Sequence, residues 1–318
     1  MVSDDAKAVI ALTTRLGNSS RPSLSPTRWH RVASLLADAG LGPADVFSVD
    51  FDARALTGLP DDMAATVTEL LGSAAEATVA VSDLGRMGIW TLTVVDGDYP
   101  DVLRTRLGQN APPVLFGSGN PELLTGGGVG IVGSRDVDAE GAEVAQRFAR
   151  EAVRLGRAVV SGAARGVDQL AMAAAYDAGG AVVGVLADSL QARIRKADVL
   201  AALDEGTTCL ITQQAPSAGF TAGSAMSRNK LIYALADVTV VVASAAKSGG
   251  TWAGAEEALR AGTSRVAVWR GPGEGAGNAE LEALGATPIT TIGDLDALLD
   301  RSSTAARGPQ QLTLGDTG

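Results

Sequence analysis

The sequence predicts an α/β fold, a mostly parallel sheet with helices on both faces, preceded by a small helical domain. Three observations carry that prediction. From about residue 127, short apolar runs alternate with helical stretches, one strand per helix, as in parallel sheets with covered faces. The runs are rich in β-branched residues, Val129, Ile131 and Val132 being typical, which suits strands buried on both sides. Residues 1–84 carry only helical spacing. The chain has 318 residues, more than one average domain, and one large plus one small domain is the natural division. The expected boundaries are 1–84 (helical), 85–300 (α/β) and 301–318 (a flexible tail).

In chain order, helices are expected at Ala6–Leu16, Pro26–Ala39, Pro60–Leu71 and Ala74–Arg86. Ser25 or Pro26 starts the second of these; Trp29, Val32, Leu35 and Leu36 form its apolar stripe, and Gly40 ends it. The Gly-containing turns at 41–47 and 56–60 belong to a type that can hold DNA through backbone N–H groups, but more often such a bundle is a packing or protein-interaction module. Strands follow over Gly88–Val95 and Val114–Phe116, with a short helix from Tyr99-Pro100 to about Leu107. The main alternation places strands at 129–132, 158–160, 181–186, 208–212, 238–242, 264–269 and 287–290. Helices fall at about 138–155, 166–178, 195–204, 227–236 and 252–261. Residues 302–318 show little periodicity.

Composition removes several function classes. With 26 basic and 36 acidic residues the net charge is −10, so any polyanion site is a local basic patch on a repelling background. The single Cys209 rules out an internal disulfide and a cysteine-based zinc cluster, as fits a reducing cytosol. His30, in the helical part, is the only histidine, so the α/β part has no histidine general base. No stretch has membrane-spanning length and no secretory segment opens the chain, so a cytoplasmic protein is expected. Neither a dinucleotide fingerprint nor a Walker A loop is present in register. No cofactor and no metal is expected.

The chain is organised around Gly128–Gly166, a strand–helix–strand unit whose two strand ends each carry small residues and one arginine. In a parallel sheet those ends share one edge, where open α/β folds bind ligands. Gly133-Ser134-Arg135 ends the first strand; Ser161-Gly162, followed by Arg165-Gly166, ends the second. Small residues let backbone N–H groups approach a phosphate, helix N-termini add partial positive charge, and the arginines add full charge. Asp168 reads as a helix cap. Two further stretches point to the same edge. Ser227-Arg228-Asn229-Lys230 opens a helix after the loop Ser217–Ala225, in which Phe220 either stacks on a base or pegs the loop to the core. Lys247-Ser248-Gly249-Gly250-Thr251 forms an anion-binding nest before Trp252, which stacks on a base or packs the loop down.

These residues resemble the DNA-processing protein A (DprA/Smf) family. Tyr99-Pro100-x-x-Leu103 and Pro112-Pro113-Val114-Leu115-Phe116-x-x-Gly119 match its lead-in, and Ile131-Val132-Gly133-Ser134-Arg135 its first phosphate-side motif. Val159–Asp168 is close to its SGxARGID element, Arg228-Asn229-Lys230-Leu231-Ile232 to its RNRxI. Gly277-Asn278-x-x-Leu281-x-x-x-Gly285-Ala286 is similar to its closing segment. The resemblance covers about Tyr99 to Ala286. Departures include Ala171-Met172 where the family has Ala-His, and Thr212-Gln213 where it has Ser-Glu.

The resemblance implies a Rossmann-like domain behind a small SAM- or helix-hairpin-helix-like one. It also implies a non-catalytic, dimeric protein that protects single-stranded DNA and hands it to a RecA-type recombinase during DNA uptake or recombination. Arg135, Ser161, Arg165, Arg228, Asn229 and Lys230 would then line the DNA pocket. Arg228 and Gly249-Gly250-x5-Glu256 also resemble the LOG (lysine-decarboxylase-like) nucleotide phosphoribohydrolases, which would make Arg228 and Glu256 catalytic on a nucleoside monophosphate. The third reading is a structural module whose helical part binds a protein partner.

Overall fold

The computed structural model describes residues 2–16 and 22–306, with side chains through residue 300. Its helical N-terminal part comprises α1 (Asp4–Thr13), α2 (Pro26–Asp38), α3 (Asp61–Leu71) and α4 (Ala74–Arg86), with one-turn 3-10 helices at Pro43–Phe47 and Ala53–Ala55. Then come β1 (Trp90–Thr93), α5 (Asp101–Leu107), β2 (Val114–Gly119), β3 (Gly128–Val132), α6 (Ala139–Arg154), β4 (Ala158–Ser161) and α7 (Val167–Asp177). The chain continues through β5 (Val182–Val185), α8 (Leu190–Arg193), α9 (Ala197–Asp204), β6 (Thr208–Thr212), α10 (Ala222–Leu235) and β7 (Val238–Val241). It closes with α11 (Gly249–Ala261), β8 (Arg265–Trp269), α12 (Asn278–Ala283), β9 (Thr287–Ile289) and α13 (Asp294–Ala306).

The strands form one nine-stranded sheet in the order β1-β2-β6-β5-β4-β3-β7-β8-β9. Strands β3 to β9 are parallel, and β1 and β2 add antiparallel pairs at one edge. The mostly parallel, Rossmann-like sheet that the sequence predicts is therefore present. Because side chains alternate along a strand, each strand feeds both layers. Val129 and Ile131 pack among Phe148, Ala171 and Leu295 under α6, α7 and α13. Val132 packs on the opposite face with Leu231, Leu235 and Ala255 of α10 and α11. In β2 the same alternation turns Val114 and Phe116 toward Val9, Leu36 and Val67 of the N-terminal helices, and Leu115 the other way.

Several boundaries differ from expectation for local reasons. Helix α10 begins at Ala222, not 227, because Thr221 and Ser224 form a reciprocal capping box. Its first turn, Ala-Gly-Ser-Ala-Met, has no amphipathic period to reveal it. The helix expected at 195–204 is present as α9, and the short α8 before it, capped by Ser189, is an addition that the sequence pattern does not reveal. The first helix starts earlier and ends earlier than expected, with the Ser3 hydroxyl capping Ala6 N–H. Helix α13 runs to Ala306, into the stretch read as tail; residues 307–318 lie outside the described residues. No helix among the described residues is long and apolar enough to cross a membrane.

One buried amide fixes the sheet edge on which the site stands. Asn278 is wholly buried; its Nδ2 donates to the Val242 and Trp269 carbonyls at 2.8 Å, and its Oδ1 accepts from Ser244 N–H at 2.9 Å. It thereby ties the ends of β7 and β8 to the turn after β7. Asn278→Ala strands three buried polar groups and is expected to cost about 3 kcal/mol in urea unfolding. A loss within 0.5 kcal/mol would show the bonds to be dispensable.

Candidate nucleic-acid interface

From β3 the chain steps outward through β4, β5 and β6, then returns to β7 on the other flank and continues through β8 and β9. The reversal opens a crevice beyond the C-terminal ends of β3 and β7, the position at which such sheets take ligands. A cavity of about 490 Å³ lies there, between the turns after β3 and β7 and the start of α10.

The turns are locked to one another before any ligand arrives. Ser134 N–H donates to the Ala243 carbonyl at 2.9 Å, and the Ser134 carbonyl accepts from Val167 N–H at 3.2 Å. Gly166, at φ +84°, lets the β4 turn lie against the β3 turn: a Cβ there would come within 2.3 Å of the Ser134 carbonyl oxygen. Thr251 Oγ1 donates to the Gly133 carbonyl at 3.0 Å and joins the start of α11 to the same turn.

Arg228, projecting from the second turn of α10, forms the floor. Its Nη1 donates to the carbonyls of Gly162 and Val185, and it faces Asp168 at 3.7 Å. Asp168 receives the backbone N–H groups of Gly133, Gly162 and Ala164. Burial pushes its carboxyl up to about 6, against the pull of Arg228 and of those amides. Burial likewise pulls the Arg228 guanidinium down, with Asp168 opposing. Tyr233, one to two turns further along α10, completes the floor and is 2% exposed.

The rim is open and cationic. The Arg135 guanidinium lies over the Phe220 ring, 5.5 Å from its centroid, and Phe220 is 54% exposed. Arg165 reaches Asp136 at 2.6 Å in solvent. Two further concavities, of about 390 and 500 Å³, adjoin the cleft, and all three share Arg135. On the far side, exposed Ser248, Gly249 and Gly250 open α11, and among the described residues no side chain caps it. Ala163 at φ +54° and Lys247 at φ +53° are the described non-glycine residues with left-handed backbone, and both flank the site.

The structure thus gathers Gly133, Ser134, Arg135, Arg228, Asn229, Ser248, Gly249, Gly250 and Thr251 around one cleft, with Gly162 and Arg165 on the adjoining one. Gly166 lies on the third concavity, and Lys247 stands beside Ser248. Gly162 itself is buried, so its contribution is the carbonyl held by Arg228.

Three expectations are corrected. Ser161 is wholly buried and gives its hydroxyl to the Ile131 carbonyl at 2.6 Å, so it presents nothing to a phosphate. Arg228 does not open a helix in solvent; it is 5% exposed and serves the floor. Lys230, two residues on and so on another helix face, meets Glu257 at 2.9 Å outside the cleft. Of the two roles open to Trp252, packing is the one taken: it is 7% exposed and lies in the core. The structure does not bring the Arg228–Glu256 pair together at the cleft. Glu256 binds Arg260 at 2.9 Å and does not line the cleft, while Arg228 is occupied by backbone carbonyls.

Sequence reasoning finds only a cap in Asp168 and nothing in Tyr233. The signal for Asp168 was a carboxylate one turn from two glycine turns; Tyr233 had none. The Gly-containing turn after α2 offers no phosphate site. Its Ala44 N–H already donates to Asp5, and its Gly42 N–H to Asp45, both at 2.7 Å.

Comparison with known proteins agrees with this geometry. The family model for DNA recombination-mediator protein A matches residues 90–300. The DNA processing protein DprA of Bacillus subtilis is 32% identical over 184 residues, 57% of this chain and 61% of that protein, so the match spans less than two thirds of the relative. DNA processing protein A (DprA) from Streptococcus pneumoniae has the same fold at 20% identity, with a TM-score of 0.70 over 93% of this chain and 98% of that one. DNA processing protein A from Helicobacter pylori, whose single-stranded DNA binding mode has been described structurally, matches at 25% identity and a TM-score of 0.54. That match covers 67% of this chain and 96% of that one.

Two outcomes follow from the geometry. Lys247→Gly removes left-handed strain from an exposed residue and is expected to raise stability by about 1 kcal/mol in denaturant unfolding; a decrease would show the turn to be unstrained. The raised Asp168 pKa makes the folded chain hold a proton that the unfolded chain releases. That stabilisation is complete below the unfolded value, about 4, and is lost as pH rises through about 6. Wild type should lose stability over this window relative to Asp168→Asn, and parallel profiles would contradict the assignment.

Proposed function

The chain belongs to the DNA recombination-mediator protein A family, and on that premise we propose that it binds single-stranded DNA along the sheet edge without catalysing a reaction on it. The observation that carries this reading is the exposed Arg135–Phe220 pair at the point where three concavities meet. A cation beside an open aromatic face is the element that single-strand binders repeat: bases stack on the ring and phosphates follow the positive charge, with little regard for sequence.

The acidic background is compatible with this. The rim cations are held by exposed carboxylates, Arg165 by Asp136 and Lys247 by Glu280. Exposed pairs of this kind are worth at most about 1 kcal/mol each, so a phosphate can take their place. The uncapped start of α11 adds backbone N–H groups to the same edge. Protection of the strand, transfer to a RecA-type recombinase, a homodimeric state and a cytoplasmic location complete the proposed role. The family relation supports them, and the cleft supplies the DNA-binding step on which they depend.

Fluorescence anisotropy of a labelled oligothymidine at two salt concentrations tests the reading. Wild type should bind with affinity that falls steeply as salt rises. Phe220→Ala should weaken binding by about tenfold, and Arg135→Ala should also lower the salt slope by about one. Lys230→Ala should leave both unchanged. Absence of salt-sensitive binding would overturn the proposal.

A further inference from the structure

A second cavity, of about 410 Å³, lies at the other edge of the sheet, between α1, α4 and β1. In the strand order β1 stands five places from β3, about 24 Å away, so this cavity is apart from the cleft. Ile10 of α1, Val81 of α4 and Ile89, which precedes β1, are buried and give it apolar walls. Gly85 leaves a notch in the α4 wall. A Cβ there would meet nothing within 4 Å, so the notch is open space, kept at a cost in helix stability relative to any larger residue.

The polar side of the cavity is the free edge of the sheet. Val94 N–H donates to the Pro113 carbonyl at 2.9 Å and continues the β1–β2 register. Backbone groups alternate in direction along an antiparallel strand, so those of Trp90 and Leu92 also face β2, and those of Thr91 and Thr93 face outward. The turn after β1 takes up Thr93: its N–H donates to Asp96 Oδ2 at 2.7 Å, and its carbonyl accepts from Asp96 N–H at 2.9 Å. Thr91 remains as the open position. It lines the cavity, and its Oγ1 is buried with no partner among the described residues. Leaving a buried hydroxyl unpaired is costly, and such a group in a folded protein calls for an occupant.

The charge on the lining has one sign. Lys7 stands there and no acidic residue does. Its partner Asp4, at 2.6 Å, is 72% exposed and lies off the lining, a weak solvent-screened pair that a better-placed anion can replace. We propose that this cavity binds a small apolar carboxylate of the fatty-acid type. One carboxylate oxygen meets the Lys7 ammonium, and the other accepts from the hydroxyl and the N–H of Thr91. The hydrocarbon body lies between Ile10, Val81 and Ile89 and enters the notch at Gly85. The volume falls in the ordinary range for small-molecule sites, which combine apolar walls with a few placed polar groups. The inference is independent of the single-strand reading.

Calorimetric titration of the full chain with octanoate tests it, with octanol and octylamine as head-group controls. Octanoate should bind at a single saturable site, and the alcohol and the amine at least tenfold more weakly. Lys7→Met should weaken octanoate about tenfold and Thr91→Val about threefold. Gly85→Leu should abolish the site by filling the notch, while its thermal midpoint does not fall, because leucine is the better helix former. Its affinity for oligothymidine should equal that of wild type. Absence of saturable octanoate binding to wild type would overturn the inference, as would equal binding of the three head groups, a comparison that needs no variant. Octanoate affinity that Lys7→Met and Gly85→Leu both leave unchanged would place the ligand elsewhere and overturn it too.

Discussion

The site depends on one buried charge. Arg228 leaves α10 and reaches beneath the turn after β4, where the carbonyls of Gly162 and Val185 and the carboxylate of Asp168 receive it. Asp168 in turn collects amides from the turns after β3 and β4. Two glycine turns, a helix from the opposite face of the sheet and the start of α7 are thus held by a single pair. Removing one member of such a pair leaves the other buried without compensation, which costs far more than the pair itself contributes. The cleft is a preformed cavity for this reason. Its shape is set by polar groups that face inward and bond to the backbone, and the rim is left free to meet a ligand.

That division explains why an acidic chain can carry a polyanion site. The floor is close to neutral, with one cation and one carboxylate, and contributes geometry and hydrogen bonds. In the proposed role, the charge that meets phosphate sits on the rim, on Arg135, Arg165 and Lys247, and the last two exchange weak exposed partners for a stronger one. Backbone strain is concentrated in the same places: Ala163 and Lys247 hold left-handed conformations beside the cleft. Strain at a site that the surrounding structure over-determines is a familiar companion of function.

The sequence made the fold largely legible because buried parallel strands announce themselves as β-branched runs, and helix α6 has a clear apolar face. The start of α10 was hidden because its first turn is held by Thr221 and Ser224 and carries no periodic face. The site was legible in outline. Glycine turns with arginines at strand ends mark a sheet edge whatever the partner, and Arg135, Arg165 and the Ser248–Thr251 turn lie there. The direction in which a side chain points was not legible. Ser161, Arg228 and Lys230 all occur in motif positions, yet one bridges two strands, one is buried in the floor and one turns away to α11. Tyr233 was invisible for the same reason: an aromatic residue in a buried helix reads as core until the cleft is seen to reach it.

Ultraviolet crosslinking of the full chain to an oligothymidine, followed by mass spectrometric assignment of the modified peptides, tests the central claim most directly. If the strand lies on this edge, crosslinks should fall on Phe220 and Met226 and on the turn that carries Arg135. Crosslinks confined to α1–α4 would place the DNA on the helical part of the chain and contradict the account.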